Sequence, residues 1–271
     1  MDPTTRVWTI LIIVLAFATL AMAIPVARRR RGGLILRSIP GYDALPGIVS
    51  ASIEAGRPML VAINQDGIGG TPTPYALISA EIAYQVAVRA AIGERAPVLA
   101  VSDVTMIPIA YSAQRRAVKA VGRTERLRQA KRVQWYAPGT RSLAFAAILT
   151  GVAGNERIAG GVYSGSFGAE LALPLWDATN KRIYSIAASH DIEGQAVGYV
   201  MADYALLGDE FSLSGAYLGA DGAQMGSALA QTVLQFLVIL GLLIPVVVVI
   251  GDAVTSGAIT RFLTGLFGGG G

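Results

Sequence analysis

Apolar positions along the chain fall into two patterns. Val7 to Ala27, "VWTILIIVLAFATLAMAIPVA", and Ala228 to Ile250, "ALAQTVLQFLVILGLLIPVVVVI", are continuous and carry no charged residue. About 20 apolar residues in a helix match a hydrocarbon core of roughly 30 Å, so both runs predict transmembrane helices. Between them the apolar runs are short, and each follows a helix-like stretch that ends in a small polar cluster with a basic residue. The clusters occur in "IEAGRPMLVAI" (Ile53 to Ile63), "AIGERAPVLAV" (Ala91 to Val101), "VAGNERIAGGVY" (Val152 to Tyr163) and "DATNKRIYSIAA" (Asp177 to Ala188). Gly56, Gly93 and Gly154 stand where left-handed caps would stop helices. Met59 to Ile63 and Val98 to Val101 are apolar without alternation, as expected of strands covered on both faces. With "VQWYA" (Val133 to Ala137) the count is five strands, each separated from the next by a helix.

That alternation predicts an α/β domain: a mostly parallel sheet with helices on both faces, Rossmann-like, flanked by the two transmembrane helices. The expected organisation is a span in 1–27, a basic juxtamembrane linker in 28–42, an α/β domain in 43–227, a span in 228–250 and a short Gly-rich tail in 251–271. The best-marked helix opens at "TPTPYALISAEIAYQVAVRAAIG", with Thr73 as cap, Pro74 in the first turn and Gly93 as stop. Glu81, Gln85 and Arg89 form a narrow polar stripe on it, so it is buried on more than one side or shared with another subunit. Ser112 to Gln134 reads as a second helix with Val118, Val121 and Leu127 inward. Eight basic residues lie between Ser112 and Arg132 against Glu125, a solvated face or a contact for lipid headgroups or an acidic partner.

Charge decides orientation. Arg28, Arg29, Arg30, Arg31 and Arg37 follow the first run and only Arg6 precedes it. Basic residues beside a span stay in the cytoplasm, so the N-terminus is expected outside the plasma membrane and the central domain inside. The same residues are expected at the membrane surface. A cleavable signal peptide is the competing reading, because Ala21-Met22-Ala23 imitates a cleavage site, but the arginines lie on the wrong side for it. Thr19, Ala23 and Ala27, and likewise Gly222, Gly226 and Ala230, recur every four residues, a spacing that lets helices pack closely in lipid. A mean hydropathy of +0.53 agrees with partial residence in a bilayer. The absence of cysteine excludes thiolate metal sites, disulfides and cysteine nucleophiles. The basic segment lacks interleaved aromatic residues for base stacking, so no nucleic acid is expected.

In an open parallel sheet, ligands sit outside the carboxyl ends of the strands. Here those ends read "NQDGIGG" (Asn64 to Gly70), "SDVT" (Ser102 to Thr105), "APGT" (Ala137 to Thr140), "SGSFG" (Ser164 to Gly168) and "SHD" (Ser189 to Asp191). Asp66, Asp103, Ser164, Ser166, His190 and Asp191 should therefore gather on one edge. Gly67, Gly69 and Gly70 offer a loop for phosphate, but Pro72 stands where G-x-G-x-x-G needs its third glycine, and a plain turn accounts for the loop better. His190 is the only histidine and invites a general-base role with Ser164 or Ser166 as nucleophile; a loop histidine satisfied by its neighbours is the simpler reading. "SGSFG" has Phe167 and Gly168 where a nucleophile elbow would need a different frame. The three aspartates make at most a weak magnesium site, so no metal is expected and no cofactor is specified.

The N-terminal span, "LRSIPGYDAL" (Leu36 to Leu45), "EAGRPM" (Glu54 to Met59), "GVAGNERIAGGVYSGSFGAE" (Gly151 to Glu170) and the C-terminal span together resemble a family of uncharacterised bacterial and archaeal membrane proteins with a domain of unknown function. The resemblance implies no activity. With no catalytic signature, the expectation is a non-enzymatic scaffold or assembly subunit whose partners are the bilayer and other membrane subunits or itself. The alternative is a membrane-bound enzyme or sensor holding a small phosphorylated ligand at the strand ends.

Overall fold

The computed structural model describes residues 37–123, 125, 133–218 and 238. Ile35–Asp221 forms one compact unit, separate from a unit made of the two ends of the chain. The residues of the two predicted spans other than Val238, together with Arg28 to Arg31 and the small-residue positions Thr19, Ala23, Ala27, Gly222, Gly226 and Ala230, lie outside the described residues. Among the described residues no helix is long and apolar enough to cross a membrane.

Six parallel strands form one sheet in the order β3-β2-β1-β4-β5-β6. They are β1 (Met59–Asn64), β2 (Val98–Val101), β3 (Val133–Trp135), β4 (Gly160–Gly165), β5 (Tyr184–Ser189) and β6 (Tyr204–Ala205). The two residues of β6 are one strand more than the sequence pattern shows, because a segment that short has no pattern of its own. Register runs from Leu60 opposite Val98 on one side of β1 and from Met59 opposite Gly160 on the other. All residues of β1, β2 and β4 are buried, which is why their apolar runs do not alternate.

The helices are α1 (Pro40–Glu54), α2 (Thr73–Ala90), α3 (Met106–Ala120), α4 (Leu143–Asn155), α5 (Ala172–Lys181), α6 (Ile192–Met201) and α7 (Ser214–Leu218). One sheet face, carrying Met59, Val61, Ile63, Leu99 and Val101, packs with Leu45 and Val49 of α1, Ala83 and Val86 of α2 and Met106 of α3. The other, carrying Leu60, Ala62, Val98 and Ala100, packs with Phe145 and Leu149 of α4 and Leu175 of α5. The period-2 geometry of β1 thus feeds two cores from one strand. The sheet is doubly wound. From β1 the chain moves outward to β2 and β3, then returns to lay β4 on the other side of β1.

Several local expectations change. Pro72, not Thr73, precedes the first residue of α2, and the Thr73 hydroxyl accepts the N–H groups of Gly69 and Gly70, so it caps the loop rather than the helix. Of the three glycines read as left-handed caps only Gly56 is one, at φ +61°. Helix α2 ends before Gly93, Gly154 lies inside α4, and the left-handed residue after α4 is Arg157. The basic helix starts at Met106, earlier than Ser112, and stops at Gly122 with φ +73°. Leu127 lies outside the described residues. Glu81, Gln85 and Arg89 bond along α2, and Arg89 continues to the carbonyl of Leu218, which ties α2 to α7. Arg37 pairs with Glu210 at 3.1 Å. Helix α1 already begins at Pro40, inside the stretch read as linker.

Candidate functional site

The strand order reverses between β1 and β4, so the loops after these strands part and leave a crevice at their carboxyl ends. Asn64, the last residue of β1, joins the two sides: its Nδ2 donates to the Ser166 carbonyl at 2.7 Å, and its own carbonyl accepts the Ser166 N–H at 2.9 Å. The approach is close because residue 165 is glycine. A Cβ there would lie 2.5 Å from the Asn64 carbonyl oxygen, and its φ of +107° is open to glycine alone among common residues.

Beneath this junction runs a buried polar chain. The carboxylate of Asp66 is fully buried; its Oδ2 accepts the Ser79 hydroxyl at 2.9 Å and its Oδ1 meets Nε2 of His190 at 3.0 Å. Ser79 spends its proton on Asp66, so the 2.8 Å contact with Ser164 is donated by Ser164. The His190 ring stacks on Tyr75 with centroids 4.0 Å apart, and its Nδ1 lies 3.6 Å from Asp191 Oδ1. Asp191 in turn accepts the hydroxyl of Ser166. Asp66, Ser164, Ser166, His190 and Asp191 are thus linked across three strand ends. Neither serine is bonded to His190, so the nucleophile and general-base pairing is not formed.

Asp103 stays apart. It accepts the backbone N–H of Thr105 at 2.7 Å and its hydroxyl at 2.5 Å, opening α3, and none of its hydrogen bonds reaches the Asp66 group. The glycine loop is also internally satisfied: Ile68 N–H donates to Thr105, and those of Gly69 and Gly70 to Thr73. Donors already bonded to threonine hydroxyls do not form the open N–H cradle that binds phosphate.

Above the polar chain a cleft of about 550 Å³ is lined by Gln65, Arg141, Leu143, Ser166, Glu170, Asp191 and Glu193, among others. Five non-glycine residues among those described have left-handed backbones. Arg157 and Arg182 do so at helix ends, where this conformation is ordinary. The other three, Gln65, Arg141 and Ser142, gather here: two line the cleft, and Ser142 accepts a hydrogen bond from the Gln65 amide. Such conformations cost about 1 kcal/mol or more each and collect at functional sites. Strand-end reasoning stops just short of these residues, since Arg141 follows "APGT" and Glu193 follows "SHD". Ser79 and Tyr75 carry no such signal, being helix residues brought in by packing. Among the described residues no group of three or more acidic or histidine side chains is placed to hold a metal ion.

Residues 3–259 match the family described as Domain of unknown function (DUF6754). The chain belongs to this family. No curated protein and no solved structure matches the chain. Family membership thus covers the α/β domain and both charge-free runs of this DUF6754 protein.

Proposed function

We propose that this DUF6754 protein is a membrane-anchored binding domain of receptor type, which takes a small molecule in the cleft at the β1/β4 switch. The observation that carries the reading is the gathering of Gln65, Arg141 and Ser142, all in costly left-handed conformations, around one cleft above the hydrogen-bonded Asp66 group. Rigid support beneath and strain at the rim are the marks of a preorganised site. Binding is favoured over catalysis because Ser164 and Ser166 spend their protons on Ser79 and Asp191 rather than on His190. The proposed anchor rests on the two charge-free runs, and the arginines at 28–31 support a cytoplasmic domain.

Thermal unfolding of the full chain in mild detergent, with a panel of nucleotides, sugars, amino acids and polyamines, tests the reading. At least one compound should raise Tm, and Ser166→Trp, which fills the cleft, should remove that response. A panel without any response would overturn it.

A second reading, an assembly subunit, is favoured by α6, whose Ile192, Tyr199 and Val200 are 85%, 71% and 80% exposed on one face. A discrete oligomer that dissociates with Tyr199→Glu would support it.

A further inference from the structure

We infer that the ligand of this cleft is a small zwitterion of the amino-acid class, with a free ammonium and a free carboxylate; the inference rests on the binding reading above. Four charged side chains line the cleft: Arg141, Glu170, Asp191 and Glu193. Two of them already have work. Glu170 accepts the Gly168 N–H at 2.9 Å, and Asp191 accepts Ser166. Arg141 and Glu193 make no hydrogen bond or ion pair among the described residues, and although both border one cavity they do not pair with each other. Opposite charges that border one cleft without pairing complement a molecule that carries both. Arg141 is suited to a carboxylate, which its planar fork can grip through two N–H groups.

A second observation concerns the two glutamates. A Cβ on Gly168 would lie 2.9 Å from Glu170 Oε2 and 3.4 Å from Glu193 Oε2, so the two carboxylates converge on one side of the cleft. A pair of carboxylates so placed suits an ammonium.

Other ligand classes fit less well. Phosphate meets three carboxylates, and the N–H groups around it are taken: Gln65 by Ser102, Asp66 by Asn64, Ser166 by Asn64 and Gly168 by Glu170. A polyamine would bring a second cation against Arg141. A dicarboxylate would leave Glu193 facing like charge. A volume of about 550 Å³ holds a molecule of amino-acid size.

The experiment uses the purified full chain in mild detergent and the twenty standard amino acids at about 5 mM, read by thermal unfolding. At least one should raise Tm by about 2–4 °C. Its N-acetyl and methyl-ester derivatives, which lose one charge each, should not. Glu193→Gln should let the N-acetyl derivative act as well as the free amino acid, and Arg141→Gln should do so for the ester. Both side chains are exposed and unbonded, so the variants keep the fold. Equal response to the blocked derivatives in the unmutated protein would overturn the inference. A response to nucleotides or sugars alone, removed by Ser166→Trp, would leave the cleft a binding site and overturn only its zwitterion character. No response to any probe would overturn both.

Discussion

Asp66 is the residue on which the buried polar chain turns, because it alone joins β1, α2 and the loop after β5. Asp66→Ala leaves both Nε2 of His190 and the buried Ser79 hydroxyl without their carboxylate acceptor. Loss of a buried hydrogen-bonded carboxylate should cost about 3–5 kcal/mol, whereas Asp66→Asn, which keeps shape and one acceptor, should cost less. Denaturant unfolding of the two variants measures the difference. Two buried tyrosines set an alkaline limit. Burial first of all raises both above the usual 10.0: Tyr42, whose hydroxyl reaches the carbonyl of Glu210, and Tyr163, which lies near Asp177. Their folded-state values exceed the unfolded ones, so their contribution is intact below pH 10 and is lost as pH rises further, where the unfolded chain releases protons that the folded chain retains. Stability should fall by about 1.4 kcal/mol per pH unit for each of them above pH 10. Tyr163→Phe should take about 1.4 kcal/mol per pH unit off the alkaline slope while changing neutral stability little.

Helix α6 shows how an element is held to the site it serves. A Cβ on Gly194 would lie 1.9 Å from the Phe167 carbonyl and 2.5 Å from Ser189 Oγ, so the helix rests directly on the loop after β4. Gly194→Ala must push α6 away, and with it Asp191 and Glu193 at its start. Overpacking of this kind should cost about 3 kcal/mol and remove ligand-dependent stabilisation even where the domain still folds; thermal unfolding with and without ligand reads both. None of this contact is written in "IEGQAVGYVM", which only marks two glycines in a helix. The central strands were legible because burial on both faces removes polar residues from Met59–Asn64 and Val98–Val101. Strand order was not, since hydrophobic pattern records which segments are buried and not which lie side by side. The rule that ligands meet parallel strands at their carboxyl ends located Asp66, Ser164, Ser166 and His190, but it also drew in Asp103, which a local turn with Thr105 occupies. Arg141 escaped it because its left-handed backbone follows Gly139 in a connection with no periodic signal.

Charge is distributed along the chain in a way that bears on where the cleft opens. Ser112 to Arg132 is strongly basic, while Ile183 to Ser227 holds six acidic residues and no lysine or arginine. The cleft itself carries three carboxylates, Glu170, Asp191 and Glu193, against Arg141, so it would meet an anionic leaflet unfavourably and a dissolved cationic group favourably. That asymmetry is useful only if the domain lies on the side where its ligand is dissolved, and the proposal that the arginines at 28–31 stay in the cytoplasm makes that side the inner one. Glu94 can report this: it is exposed in the connection between α2 and β2, and the chain has no native cysteine to interfere. In intact cells a membrane-impermeant thiol reagent should label Gly268→Cys, beyond the second charge-free run, and should label Glu94→Cys only after permeabilisation. The reverse pattern would place both the domain and its cleft outside, where arginines beside a span are disfavoured. Labelling of both in intact cells would remove the second run as a span, since the two positions would then share one side.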